Sequence, residues 1–89
     1  MKSLYITIPL MLANNLIKDG YMTPTKMSKV INEGLTNNYN IDKPLEGPCY
    51  PYTFKIDSQL HNRLKLKAFD LDLSMSDVGG RYIARHFLE

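Results

Sequence analysis

The stretch Tyr52-Thr53-Phe54-Lys55-Ile56-Asp57 opens the second half of the chain with a regular alternation. Tyr52, Phe54 and Ile56 are apolar or aromatic, whereas Thr53 and Lys55 between them are polar. A period of two residues is typical of a strand with one buried face. The stretch therefore predicts a β-strand with its apolar residues toward a core and its polar residues on the opposite side.

Two predicted helices follow this strand. Asp57 is a good N-cap, and the apolar residues after it recur at helical spacing, at Leu60, Leu64, Ala68 and Leu71. Ser74 and Asp77 then stand at the spacing of a capping box and predict the start of a second helix that runs to the C-terminus. The predicted order is strand, helix, short turn, helix.

The N-terminal half shows the same order. Ser3–Ile8 alternates like a strand, and Pro9 removes a backbone donor and suits a helix start. The first predicted helix carries Leu12 and Leu16 and ends at Asp19-Gly20. The second begins at Thr23-Pro24, ends near Asn37, and has an apolar face made of Met27, Val30, Ile31 and Leu35.

The two halves match as an internal repeat. Ile8, Leu12 and Leu16 correspond to Ile56, Leu60 and Leu64 at one constant offset, which aligns Tyr5 with Thr53 and Thr7 with Lys55. The turn before the last helix is shorter in the first half, so Thr23 corresponds to Ser74. The alternative is that two amphipathic segments look alike by chance. Residues 40–51 lie between the halves and contain three prolines and a glycine, which predicts a linker of about 40 Å when extended.

The strand–helix–helix order resembles the ribbon-helix-helix (Arc/MetJ-like) family of DNA-binding proteins. The resemblance implies an α+β, mostly α, fold of two tandem units, 1–39 and 52–89, that form one compact domain. The two strands would pair as an antiparallel ribbon above four helices, so that one chain forms a pseudo-dimer. Single-chain tandem forms of this kind resemble relaxosome accessory proteins of conjugative plasmids.

The resemblance also implies which residues contact DNA bases. The polar face of the ribbon would enter the major groove, with side chains from both strands: Ser3, Tyr5, Thr7, Thr53 and Lys55. Lysine donates to guanine, and threonine bonds a base edge or touches a thymine methyl group. The alternative is an ordinary solvated strand face. The first strand carries no charge on this face, which weakens the case for that half.

Helix N-termini are the second device that the resemblance implies, because their free N–H groups bind backbone phosphate. The candidates are Thr23, Thr25, Lys26, Ser74 and Ser76. The alternative is plain N-capping by Thr23 and Ser74. Asp77 is unfavourable beside a phosphate.

Glycines and basic residues give weaker signals. Gly79-Gly80 lies inside a predicted helix, and this predicts close helix–helix approach, with Gly34 in a comparable place; a break in the helix is the alternative. The remaining basic residues predict a solvated face or secondary phosphate contacts: Arg63, Lys65, Lys67, Arg81, Arg85 and His86.

Composition restricts the class of protein. The 89 residues suffice for one small domain, and the net charge of +2 is compatible with nucleic acid. Cys49 is the single cysteine, which argues against an intrachain disulfide and favours a reducing cytoplasm. No apolar run approaches the ~20 residues of a membrane span, and we expect no signal peptide. His61 and His86 have no ligand partners at useful spacing, so we expect neither a metal nor a cofactor, and no catalytic grouping is evident.

The sequence thus predicts sequence-specific binding of double-stranded DNA, as a transcriptional regulator or as an accessory factor in DNA processing for a mobile element. One ribbon covers few base pairs, so several molecules would bind side by side. An alternative is a protein-interaction module. An antitoxin of this fold would need a tail beyond the last helix, and the chain stops at Glu89. A phage or plasmid protein that binds a host protein is favoured by the low charge of the first strand.

Overall fold

The computed structural model describes residues 1–88 as two strands and four helices. In chain order these are β1 (Lys2–Pro9), α1 (Leu10–Lys18), α2 (Pro24–Thr36), β2 (Cys49–Ile56), α3 (Ser58–Leu71) and α4 (Met75–Leu88). The fold is α+β and mostly helical, as predicted. Glu89, the predicted last residue of the second unit, lies outside the described residues.

The two strands pair with each other within the chain. β1 runs antiparallel to β2, with Tyr5 opposite Thr53 and Ser3 opposite Lys55. This confirms the predicted antiparallel ribbon. The strand β2 already begins at Cys49, so residues 49–51, which the sequence assigned to the linker, belong to the ribbon. Each strand of a two-stranded sheet has a free edge, and a strand with a free edge can accommodate Pro51.

The caps that the sequence predicts start three of the helices. Thr23 Oγ1 accepts a hydrogen bond from Lys26 N at 3.3 Å, and Asp57 Oδ2 accepts from Gln59 N at 2.9 Å. Ser74 Oγ accepts from Asp77 N at 3.1 Å. The Asp77 side chain does not complete a capping box, because its carboxylate binds Arg81 instead. Each cap satisfies an N–H group that the helix itself leaves free.

All four helices contribute to one core on the inner face of the ribbon. The inner strand residues Leu4, Ile6, Ile8, Phe54 and Ile56 are buried, as alternation requires. The buried helix residues that meet them come from every helix: Leu12, Ala13, Leu16, Met27, Val30, Ile31, Leu60, Leu64, Ala68, Val78, Tyr82 and Ile83. The outer face of the ribbon is therefore the one that the helices leave uncovered.

Two glycines let α4 lie directly on β1. A Cβ atom added at Gly80 would overlap the carbonyl oxygen of Thr7, and one added at Gly79 would stand 2.6 Å from a methyl group of Ile6. The prediction of close helix–helix approach was wrong for this pair, since both glycines face a strand. It holds for Gly34 in α2, where an added Cβ would overlap the Tyr82 ring of α4.

The first part of the linker, from Ile41 to Leu45, packs on α4. Ile41 is buried, and Leu45 lies against Gly80. Arg81 Nη1 donates to the Ile41 carbonyl oxygen at 2.9 Å, while its Nε and Nη2 bind Asp77 at 2.9 and 3.1 Å. The prediction of a solvated face or a phosphate contact was wrong for Arg81, because folding brings the linker over this side chain.

Candidate nucleic-acid interface

The polar face of the ribbon brings together the five side chains that were predicted to contact bases. Ser3, Thr53 and Lys55 are exposed, Tyr5 is 50% exposed, and Thr7 is half-buried. Cross-strand pairing puts Ser3 beside Lys55 at one end, Tyr5 beside Thr53 in the middle, and Thr7 beside Pro51 at the other end. Directly opposite residues of an antiparallel pair project from the same face. The arrangement is a strip of hydroxyl groups with one ammonium group at one end.

Two further residues belong to this face and were missed. Cys49 and Pro51 are exposed, and they alternate with Tyr50 and Tyr52 on the inner side. The alternation of the Tyr52–Ile56 stretch continues back to Cys49, and this pattern would have predicted that Cys49 and Pro51 lie on the outer face. Pro51 within the strand and Pro48 just before it obscured the signal, because proline is uncommon inside strands.

The N-terminus of α2 combines a cap with a fixed cation. Thr23 caps the helix and Thr25 is exposed in its first turn. Lys26 Nζ donates to the Gly20 carbonyl oxygen at 3.0 Å and lies 4.8 Å from the centre of the Tyr21 ring. The ammonium group is thus held beside the helix N-terminus, where both the helix dipole and the charge favour an anion.

A contact with β2 fixes this helix start relative to the ribbon. The Tyr52 hydroxyl donates to the carbonyl oxygen of Met22 at 3.3 Å, immediately before the Thr23 cap. Burial, and then the neighbouring Tyr50, raise the pKa of Tyr52 above its usual value, so the hydroxyl stays protonated as the donor.

The N-terminus of α4 has a different electrostatic environment. Ser74 is exposed and caps the helix, and Ser76 is half-buried in the first turn. Asp77, which would repel a phosphate, is paired with Arg81. The pair neutralises Asp77, and the first turn of α4 carries no lysine in the way that α2 carries Lys26.

Two basic side chains of α3, Arg63 and Lys67, bind residues of α2 and the segment just after it. Arg63 donates to Asn32 Oδ1 at 2.5 Å and to Thr36 Oγ1 at 3.1 Å, and Lys67 donates to Asn38 Oδ1 at 3.0 Å. These contacts connect α3 with the C-terminal half of α2 and with Asn38 just beyond it. Lys65 is exposed. Arg85 lies over the Tyr39 ring, and His86 stands 3.9 Å from Glu33.

Comparison with protein-family models, curated proteins and solved structures found no match. Among residues 1–88, no helix has the length and apolar character that crossing a membrane requires.

Proposed function

We propose that this chain binds double-stranded DNA sequence-specifically, with its two-stranded ribbon in the major groove. The observation that carries the proposal is a two-stranded ribbon packed on helices on one side and exposed, with polar side chains, on the other. The major groove admits a two-stranded ribbon, and its base edges present donors and acceptors. The Lys55 ammonium group and the hydroxyl groups of Ser3, Tyr5, Thr7 and Thr53 match that chemistry.

Phosphate contacts would position the ribbon without reading the sequence. The start of α2, with Thr23, Thr25 and Lys26, is the stronger of the two sites because it carries a held ammonium group. The start of α4, with Ser74 and Ser76, relies on N–H groups and the helix dipole alone. The DNA backbone would therefore be held more tightly at the α2 side.

The ribbon would act as a pseudo-dimer made by one chain, with residues 1–39 and 52–89 as equivalent units. The pairing register supports this, since Tyr5 lies opposite Thr53 and the two are counterparts in the internal repeat. An approximate twofold axis would pass through this central pair. Such a molecule would serve as a cytoplasmic transcriptional regulator or as an accessory factor in DNA processing for a mobile element, with neighbouring copies side by side on DNA.

Lys55 is the most informative residue to test, because it is the one charged side chain on the outer face of β1 and β2. Lys55→Ala should cost about 1–3 kcal/mol on a duplex selected for tight binding, and much less on random duplex. Lys65→Ala, an exposed lysine of α3, is the matched control and should change neither affinity. Gel shifts on both duplexes at two salt concentrations measure these differences. Equal losses on the two duplexes would remove β2 from base recognition.

The proposed phosphate site at Lys26 should affect DNA binding differently from the base-contacting residues. Lys26→Ala should weaken binding to all duplexes alike and reduce the slope of log K against log salt by about one, because one fewer counterion is released. An unchanged slope would place Lys26 outside the interface. A salt titration of the same gel shifts gives the slope.

A protein-interaction module is the second candidate, and one observation favours it. Leu66 and Phe69 are 66% and 85% exposed, and they lie three residues apart on one side of α3. Exposed apolar side chains at this spacing form a surface that a partner can bury. Absence of any DNA retardation at low salt would favour this candidate over the ribbon proposal.

A further inference from the structure

The linker occupies a defined strip on α4. Leu45 lies against Gly80, the Ile41 carbonyl oxygen accepts from Arg81, and Ala84 lines the same cavity as both linker residues. Two aliphatic anchors, Ile41 and Leu45, thus hold an otherwise exposed segment that also carries Asp42 and Glu46. This strip shows how the fold holds an extended peptide against its last helix.

The equivalent strip on α2 is open. Under the register that matches Thr23 with Ser74, the counterparts of Gly80, Arg81 and Ala84 are Lys29, Val30 and Glu33. These three residues line a cleft of about 360 Å³, which is also lined by Tyr21, Lys26, His86 and Phe87. Val30 is buried in the floor, and the Tyr21 and Phe87 rings, 5.7 Å apart, form an apolar wall.

The charges around the cleft are mainly positive. Lys26 and Lys29 are exposed, and His86 stands beside Glu33, the one carboxylate among the lining residues. We infer that this cleft binds an extended, acidic peptide segment of a partner protein, anchored by an aliphatic side chain over Val30. The inference rests on the internal repeat used in the proposed function. It extends that function by a second binding surface.

A peptide fits this cleft better than a nucleic-acid backbone does. The cleft lies between α2 and the end of α4, and these helices cover the inner face of the ribbon, on the opposite side from Tyr5 and Thr53. Its floor is aliphatic and aromatic, and such a floor favours an apolar anchor over a phosphate. Lys26 is the one residue that lines the cleft and also belongs to the proposed phosphate site, so DNA and the peptide would compete only for its ammonium group.

The test uses a defined probe, a fluorescein-labelled peptide with the sequence of residues 40–47 and the change Lys43→Glu. Fluorescence anisotropy should show saturable binding to the whole protein below about 1 mM. In the protein, Lys29→Glu should weaken this binding about fivefold or more, because it reverses a charge at the cleft rim. Lys65→Glu makes the same charge change on α3 and should leave the peptide affinity within about twofold.

A second peptide tests the anchor. The same probe with Ile41→Ser and Leu45→Ser keeps its charge and should lose detectable binding. No binding of the parent peptide at 1 mM, equal effects of Lys29→Glu and Lys65→Glu, or undiminished binding of the serine peptide would each overturn the inference. Lys29→Glu that weakens DNA and not the peptide would assign the cleft to the DNA backbone. Gel shifts on the unmodified protein report DNA binding independently, so failure of either proposal is recognised separately.

Discussion

The two strands of the ribbon are covered by helices in different ways. On β1 the inner side chains are aliphatic, Leu4, Ile6 and Ile8, and α4 lies on them through Gly79 and Gly80. On β2 the inner side chains are mostly aromatic. Tyr52 and Phe54 stack with ring centres 5.1 Å apart, and the Tyr52 hydroxyl reaches the start of α2. On β1, aliphatic side chains lie under a part of α4 that has no side chains. On β2, aromatic rings fill the space below the helices.

The difference shows that the space between helix and strand can be filled by side chains from the strand or closed by a helix that lacks side chains there. At the glycines of α4, the helix backbone contacts β1 directly, and no side-chain atom can be added there. At the aromatic rings of β2, the strand and helix backbones are farther apart, and removing a ring would leave a cavity. Each strand should therefore respond to a different kind of substitution.

The largest effect should come from removing a ring on β2. Phe54→Ala should lower the free energy of unfolding by about 3–5 kcal/mol, since Phe54 is 5% exposed and its loss leaves a cavity. Denaturant titration measures the change. A loss below about 1 kcal/mol would mean that the rings do not fill the space between β2 and the helices.

Adding a methyl group on the β1 side should cost nearly as much. Gly80→Ala should lose about 3 kcal/mol, because the new Cβ overlaps the Thr7 carbonyl oxygen and backbone cannot move aside cheaply. Alanine gains about 1 kcal/mol of helix propensity, so any net loss comes from crowding. Gly79→Ala is the matched control and should lose less, since its new Cβ meets a side-chain methyl group of Ile6 rather than backbone. Equal effects of the two changes would contradict backbone contact at Gly80.

A smaller loss of stability should come from removing the Tyr52 hydroxyl group. Tyr52→Phe keeps the stacking on Phe54 and removes the hydrogen bond to Met22, so it should cost about 1 kcal/mol. The same denaturant titrations suffice. A loss above about 2 kcal/mol would indicate that the ring itself has moved.

The smallest effect at neutral pH should come from Tyr82, the ring that packs on Gly34. Its Oη finds no hydrogen-bond partner among the described residues, so Tyr82→Phe should change stability by less than about 1 kcal/mol at pH 7. Burial raises the pKa of Tyr82 in the folded protein, whereas the unfolded side chain titrates near its usual value of about 10. Its stability contribution is therefore complete below pH ~10 and is lost as the pH rises through the folded pKa.

Thermal melts at pH 7 and above pH ~10 test this sign. The unmodified protein should lose more stability on alkalinisation than Tyr82→Phe does. An identical alkaline loss in both proteins would assign the effect to other groups, such as Tyr52, whose pKa burial also raises.

Local sequence patterns predicted the strands and helix starts. The features that the sequence did not predict depend on contacts between residues far apart in the chain. Alternation gave both strands, and Thr23, Asp57 and Ser74 gave helix starts that the structure confirms. The packing of Ile41 and the role of Arg81 were not predictable, because Arg81 meets Ile41 only after the chain has folded back. The five side chains on the outer face followed from the period of two alone. Their contact with DNA stays a prediction.

The cross-strand pairs give the ribbon a direction. Ser3 and Lys55 lie at one end of its outer face, and Thr7 and Pro51 at the other, so a half-turn does not superimpose the surface on itself. Two identical strands would have no such polarity. A duplex in contact with this surface would meet a cation at one end only, and a preferred site would be non-palindromic and would fix the orientation of each bound molecule.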